Sequence, residues 1–388
     1  MAQIYSATEM LERLVAFPTV SNSSNLEFVA FVKHYLESHG VAVTVLPNLA
    51  GDKAALLATI GPKKPGGVVL SGHSDVVPVE GQTWSADPWT LSARDGRLYG
   101  RGTCDMKGFC AAALAMVPQF QAAGLTRPIH IAISYDEEIG CFGVQPLIEH
   151  LVNKVPLPKA VIVGEPSDMN VVNAHKGTWA LMTRVTGYEV HSSICHTGVS
   201  AVMSAARLVT WLEDQMMQNA AKAQMSPAPG AFTPPYTTLH VGRIKGGTSG
   251  NITAGYCSFP VDIRVMPNED MDHWMALYLD RTASLQAELR QIRPEATISV
   301  EVKARVAGLA AEDGGGAETL AHDLSGNGTS RQAGFGSEAG LFQEAGYSAA
   351  ICGPGSMDQA HQPDEFISLG QLQACTSFMQ RLSQHLSA

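Results

Sequence analysis

The chain has 388 residues, 45% of them hydrophobic and 16% charged, with a formal net charge of -10. That length exceeds one compact core and calls for two domains, and the composition excludes a disordered or fibrous chain. The acidic balance argues against nucleic acid or an anionic membrane as partner, both of which need a basic footprint, and would suit a cationic ligand.

Seven cysteines, an odd number running from Cys104 to Cys375 without a C-x-x-C pair, are neither a disulfide framework nor a structural zinc knuckle. They read as mostly buried. No stretch reaches the roughly 18 to 20 unbroken apolar residues of a membrane span. The N-terminus lacks the basic and apolar regions of a secretory leader. A soluble, reducing, cytoplasmic setting is the expectation.

In chain order, "SATEMLERLVAF" predicts an amphipathic helix opened by a Ser6 to Glu9 capping box. Short Val- and Ile-rich runs follow at "GGVVLSG" (66–72), "PIHIAIS" (128–134) and "KAVIVGE" (159–165), with a fourth, "YSAAICG" (347–353), near the end. Each is bounded by Gly, Pro or Asp, as in strands covered on both faces. A helix is expected from about Gly108.

Between the third and fourth runs the pattern changes. "GTWALMTRVTGYEVHSS" alternates, "SAVMSAARLVTWLEDQMM" is helical, "TTLHVGRIKGGTSGNITAGYCSFPVDIRV" reads as paired strands, and a helix and the strand "ATISVEVKARV" complete the set. "AAKAQMSPAPGAFTPP" and "AEDGGGAE" read as loops. The predicted fold is a layered α/β domain in two segments, 1–179 and 306–388, with an inserted α+β domain at 180–305. The chain closes on a helix with a Ser368 to Gln371 box, after a loop carrying His361.

The loops after the apolar strands are unusual. "SGHSDVVP" carries His73 and Asp75, "YDEEIG" carries Asp136, Glu137 and Glu138, "GEPSD" carries Glu165, and the last carries His361; Asp105 lies in the glycine-rich "GRGTCDMKG". In an open α/β sheet such loops converge at the carboxyl ends of the strands. Carboxylates gathered there repel one another unless a cation sits among them. His73, Asp105, Glu138, Glu165 and His361 suit two divalent metals with one carboxylate shared. Three carboxylates and one hydroxide would balance two divalent ions.

"GHSDVVP", "GRGTCDMKG", "DEEIG", "GEPS", "VHSS" and "GPGSMDQAHQPDEFI" together resemble the M20 family of dinuclear zinc amidohydrolases and peptidases, over about residues 10 to 385. The resemblance implies a zinc-peptidase domain with a smaller dimerisation or lid domain, and two zinc ions, cobalt being an alternative. It implies that His73 and Glu165 hold one metal, Glu138 and His361 the other, and Asp105 both. It assigns Asp75 to orienting His73, Glu137 to general-base activation of a hydroxide that attacks an amide, and His191 of a partner subunit to the oxyanion.

The chain departs from the family pattern at Cys195, Ser200 and Tyr135, which leaves all ligands in place. His196 is a rival for His191 and otherwise a surface helix cap. Within the family the motifs are most similar to deacetylases of acylated amino acids. By that resemblance Arg264 and Asn251 would hold the substrate α-carboxylate, helped by backbone N–H groups of the loop at Gly355. Glu338 would meet the ammonium of ornithine or else cap the following helix. Alternatives are a desuccinylase, an aminoacylase or a dipeptidase on the same scaffold, or an inactive metal-binding protein. A pyridine-nucleotide enzyme is excluded, because "GRGTCDMKG" lacks the third fingerprint glycine and puts Asp105 where a pyrophosphate would lie.

Overall fold

The computed structural model describes residues 2–225 and 232–388. It divides into two compact units, one of Met1–Ala174, Leu309–Gln332 and Ser337–Ala388, the other of His175–Gly308 with Ala333–Gly336.

The first unit is built on an eight-stranded sheet. Its order is Ala42–Pro47, Ala54–Ile60, Ile129–Ser134, Val68–His73, Ala160–Pro166, Ala349–Gly353, Val171–His175, Ser330–Ala333. The four apolar runs read from the sequence are its contiguous centre, and all three pairings among them are parallel. Their carboxyl ends therefore lie along one edge. Leu56, Leu70, Ile131 and Ile162 face one core, while Leu57, Val69, Ala132 and Val161, pointing the other way by strand alternation, are buried as well. Burial on both faces explains why these strands are continuous hydrophobic runs.

Helices close the sheet. Ala7–Val15 begins with the reciprocal box of Ser6 and Glu9. The helix Lys107–Ala115 is buried from Lys107 to Leu114, with Phe109 lying where a Cβ on Gly164 would come within 2.0 Å of the ring. In the terminal helix Leu369–Ser387, Ser368 accepts the Gln371 N–H. The Gln371 side chain accepts from Gly355 N–H at 3.2 Å, so that box is made on one side only.

The second unit is an antiparallel sheet ordered Thr238–His240, Tyr256–Val265, Gly177–Thr186, Thr297–Val306. Alternation in Tyr256–Val265 buries Cys257, Phe259, Val261, Ile263 and Val265. Helices Ala201–Met225 and Met271–Arg290 pack on the sheet. Part of the stretch "AAKAQMSPAPGAFTPP", expected as a loop, is helical: residues 220–225 are the last turns of Ala201–Met225, whose Ala, Lys and Gln favour helix, and 226–231 lie outside the described residues. "AEDGGGAE" likewise contains the start of helix Gly316–Ser325. Six of the seven cysteines are buried and all are free thiols.

Candidate metal centre and active site

Strand Val68–His73 ends in His73, 1% exposed. Its Nδ1 lies 2.9 Å from the main-chain carbonyl of Asp75 and 3.5 Å from the Asp75 carboxylate. The carbonyl is therefore the acceptor, which differs from the expected carboxylate–imidazole pair. The Asp75 carboxylate is committed elsewhere: to Ser21 Oγ at 2.7 Å, Glu137 N–H at 3.0 Å and Glu138 N–H at 3.4 Å. Asp75 thus orients His73 through its backbone and the Glu137–Glu138 turn through its side chain.

His73 Nε2 faces inward, 3.1 Å from Asp105 Oδ1 and 3.8 Å from Glu165 Oε1. On the other side His361 Nε2 lies 3.3 Å from Asp105 Oδ2 and 3.0 Å from Glu138 Oε2. Each oxygen of Asp105 is thus turned to a different histidine. Potential ligand atoms of His73, Asp105 and Glu138 lie within 4.8 Å of one another, as do those of His73, Glu137 and Glu165.

The turn that supplies Glu137 and Glu138 is set by Asp136, at φ 51°, a left-handed position that Asp tolerates better than most residues. Its carboxylate binds the Lys53 ammonium and accepts Asn22 N–H at 3.0 Å. Lys53 and Asp136 had no visible role in the sequence, because the pair is 83 residues apart.

The electrostatics are those of crowded carboxylates. Burial first, then the charge of Asp105, raises Glu138 to about 7 against the pull of His361. Burial and the charges of Asp105 and Glu137 raise Glu165 well above the ordinary range. Glu137 is raised by burial and by Glu138, Glu338 and Asp105, although His73 acts against this. Hydrogen bonds to Asp105 and Glu138 raise His361 to about 10 despite its burial. Burial disfavours the Asp105 anion, but hydrogen bonds to both histidines outweigh it and hold the group below the usual carboxylate range.

Glu138 Oε1 and Glu165 Oε1 are buried with no hydrogen-bond partner. An unpartnered buried carboxylate oxygen is costly, and a cation is what would relieve it. The imidazole and carboxylate donors fit zinc or another borderline divalent metal.

Glu338 differs from the expectation of an open loop. It is 1% exposed, accepts from Ser71 Oγ at 3.2 Å and from Ser134 Oγ, and makes no helix-cap hydrogen bond. Both serines lie on strands Val68–His73 and Ile129–Ser134, and holding them keeps the Glu338 side chain from capping helix Ala339–Glu344, whose N-cap position it occupies, and from a solvent-borne ammonium. The loop N–H groups expected to meet a carboxylate are also engaged: Gly355 with Gln371, Gly353 with Ser167 Oγ at 3.1 Å, and Ser356 with Gln359 at 3.4 Å.

In the second unit His191 is exposed and itself caps the short turn Ser192–Thr197, its Nδ1 accepting Ser193 N–H at 3.2 Å. The cap is thus His191 and not His196. Asn251 lies beside it, its carbonyl accepting Ser192 N–H at 2.9 Å. Arg264 directs its fork at Asp262, with Nε–Oδ1 2.8 Å and Nη2–Oδ2 3.1 Å, and Nη1 reaches Thr178 Oγ1 at 3.1 Å.

The fold and the cluster define a metal-dependent hydrolase, and relatedness agrees. The chain belongs to Peptidase family M20/M25/M40, whose model matches residues 69–385. It is 32% identical over 379 residues to an acetylornithine deacetylase of Pasteurella multocida, covering 95% of this chain and 94% of that one. An acetylornithine deacetylase of Myxococcus xanthus is 31% identical over 388 residues, covering 97% and 96%. Among solved structures, an M20 family metallo-carboxypeptidase from Sulfolobus solfataricus superposes with a TM-score of 0.75 at 18% identity, covering 99% of each chain. An aminopeptidase from Bacillus cereus gives 0.74 at 19% identity, covering 98% of each. At those identities the likeness is one of fold.

Proposed function

We propose that the chain is a two-metal amidohydrolase that releases acetate from N2-acetyl-L-ornithine to give L-ornithine, a step in arginine biosynthesis. The observation that carries the two-metal reading is Asp105, set between His73 and His361, with unpartnered buried oxygens of Glu138 and Glu165 around it. His73 and Glu165 would hold one ion, Glu138 and His361 the other, and Asp105 both; zinc fits this donor set and cobalt is the alternative. Bound metals would polarise the amide carbonyl and acidify water.

The chain's own groups do the rest. Glu137, raised well above the ordinary carboxylate range, takes the proton of the attacking water and returns it to the departing amine. The Asp75 carboxylate holds the Glu137 N–H and so fixes where that base stands. His191 supplies an N–H to the developing oxyanion, and Arg264 and Asn251 receive the α-carboxylate, Arg264 exchanging Asp262 for it. A homodimer and a cytoplasmic setting belong to the same proposal.

The acetyl and ornithine specificity is supported by the two deacetylase relatives at 32% and 31% identity. The burial of Glu338 removes the one side chain that had favoured a basic substrate. It thereby favours a second reading, deacylation of other N-acyl amino acids at the same centre.

Replacing Glu137 by Gln separates chemistry from metal binding. The expected result is a kcat lowered by roughly 10²–10⁴-fold with metal content unchanged. Undiminished turnover by Glu137→Gln would remove the general-base assignment.

A further inference from the structure

The loops bearing Asp105 and His361 come from opposite ends of the first unit's chain, and one buried carboxylate ties them together. Glu365 Oε1 accepts the N–H groups of Cys104 at 2.8 Å and Asp105 at 3.0 Å. Its Oε2 accepts Gly102 N–H at 2.9 Å and Arg101 Nη1 at 2.8 Å. Both residues are 1% exposed. Four donors converge on one carboxylate, and three of them are backbone N–H groups of the segment that ends in Asp105: those of Gly102, Cys104 and Asp105 itself.

Arg101 continues the frame into the loop of His361. Nη1 also reaches the Gln362 carbonyl at 3.2 Å, and Nη2 reaches the Pro78 carbonyl at 3.4 Å and the Gln82 side chain. Gln82 Nε2 in turn donates to the His361 carbonyl at 2.8 Å. The Trp84 ring lies against the guanidinium, 4.9 Å from Cζ to centroid, and its Nε1–H meets Gln82 Oε1 at 3.2 Å. His361 and Asp364 hold left-handed backbone, φ 63° and 56°, which persists where surroundings over-determine it. Here Gln82 fixes the first, and Asp364 is fixed by the Ser85 N–H at 2.9 Å.

None of these groups faces the cluster as a ligand. We propose that Glu365, with Arg101 and Gln82, is the positioning frame of the metal centre: Glu365 sets the backbone that presents Asp105, and the Arg101–Gln82 arm sets His361 relative to it. The proposal rests on the two-metal reading above. Outer groups of this kind change metal affinity by 10–100-fold while touching no metal. An isosteric amide at 365 turns one of the two acceptor oxygens into a donor that opposes either the Cys104 and Asp105 N–H pair or Arg101 and Gly102.

The test is titration of the full-length, metal-stripped protein with cobalt, followed by calorimetry and by the visible absorption of the bound ion, on wild type, Glu365→Gln and Gln82→Ala. Thermal melts of the metal-free proteins report folding. Wild type is expected to take up two cobalt ions per chain. Glu365→Gln is expected to bind both about 10–100-fold more weakly with a shifted absorption spectrum, and Gln82→Ala to weaken only the ion held by His361. Folded Glu365→Gln with wild-type affinity and spectrum overturns the proposal. Should that variant not fold, Gln82→Ala decides, and unchanged binding there overturns it equally. A wild type that takes up no second cobalt sinks the two-metal reading and this inference with it, an outcome distinct from unchanged variants on an intact centre.

Discussion

Asp105 is held to charge by two histidines while Glu138 and Glu165, a few ångströms away, are pushed toward neutrality. Environment and not residue type divides these carboxylates. The same reasoning gives a pH prediction away from the centre. On the buried strand Ile129–Ser134, burial lowers His130 from 6.5 to about 4, with Nδ1 on Thr59 Oγ1 at 3.0 Å and Nε2 unpartnered. Between those pH values the unfolded chain takes up a proton that the folded chain refuses, so stability falls as pH falls through the window and levels off below it. The loss is at most about 3 kcal/mol. Urea unfolding of metal-free wild type and His130→Gln should show the wild type losing more stability from pH 6.5 to 4; parallel curves would contradict it.

Some placements at this sheet edge were legible in the sequence and others were not. His73, Asp105 and Glu137–Glu138 stand out because strand ends in an α/β sheet share an edge. Glu365 was visible only as one more acidic residue in "HQPDEFI", since nothing local reveals the Cys104 and Asp105 N–H groups it accepts from 260 residues away. Glu338 misled for a related reason: its partners, Ser71 and Ser134, are small polar residues inside apolar strands.

At the scale of elements, the four Val- and Ile-rich strands were legible because burial on both faces leaves a continuous apolar run. Ala54–Ile60, "AALLATI", was not, since Ala and Leu favour helix and only its pairing with Ile129–Ser134 and Ala42–Pro47 makes it a strand. The three-residue strands Ser92–Arg94, Arg97–Tyr99 and Phe366–Ser368 are too short to show a period. They matter all the same, because pairing of Phe366–Ser368 with Arg97–Tyr99 fixes the segment just after Glu365 beside the segment just before Arg101. Packing at Gly164 brings helix Lys107–Ala115 against the strand that presents Glu165. A methyl there meets the Phe109 ring at 2.0 Å, so Gly164→Ala must displace either helix Lys107–Ala115 or the strand that presents Glu165. A stability loss of about 2 kcal/mol or more is expected in denaturant unfolding. Wild-type stability in that variant would mean the helix can shift freely.

For the whole molecule, the chain changes texture near where it passes into the second unit, and the segments of the first unit bring His361 to residues far earlier in the chain. The acidic composition, by contrast, said little about the substrate: the carboxylates that count are a handful at one sheet edge. Two metals held at that edge and used on an acyl amino acid are what the function proposed above requires. The most direct measurement strips the protein of metal, restores zinc in known equivalents, and follows acetate release from N2-acetyl-L-ornithine beside N-acetylmethionine, N-succinyl-diaminopimelate and a dipeptide. Hydrolysis is expected to return as the second equivalent binds and to be fastest on N2-acetyl-L-ornithine. A protein that binds two equivalents and hydrolyses none of the four would contradict it.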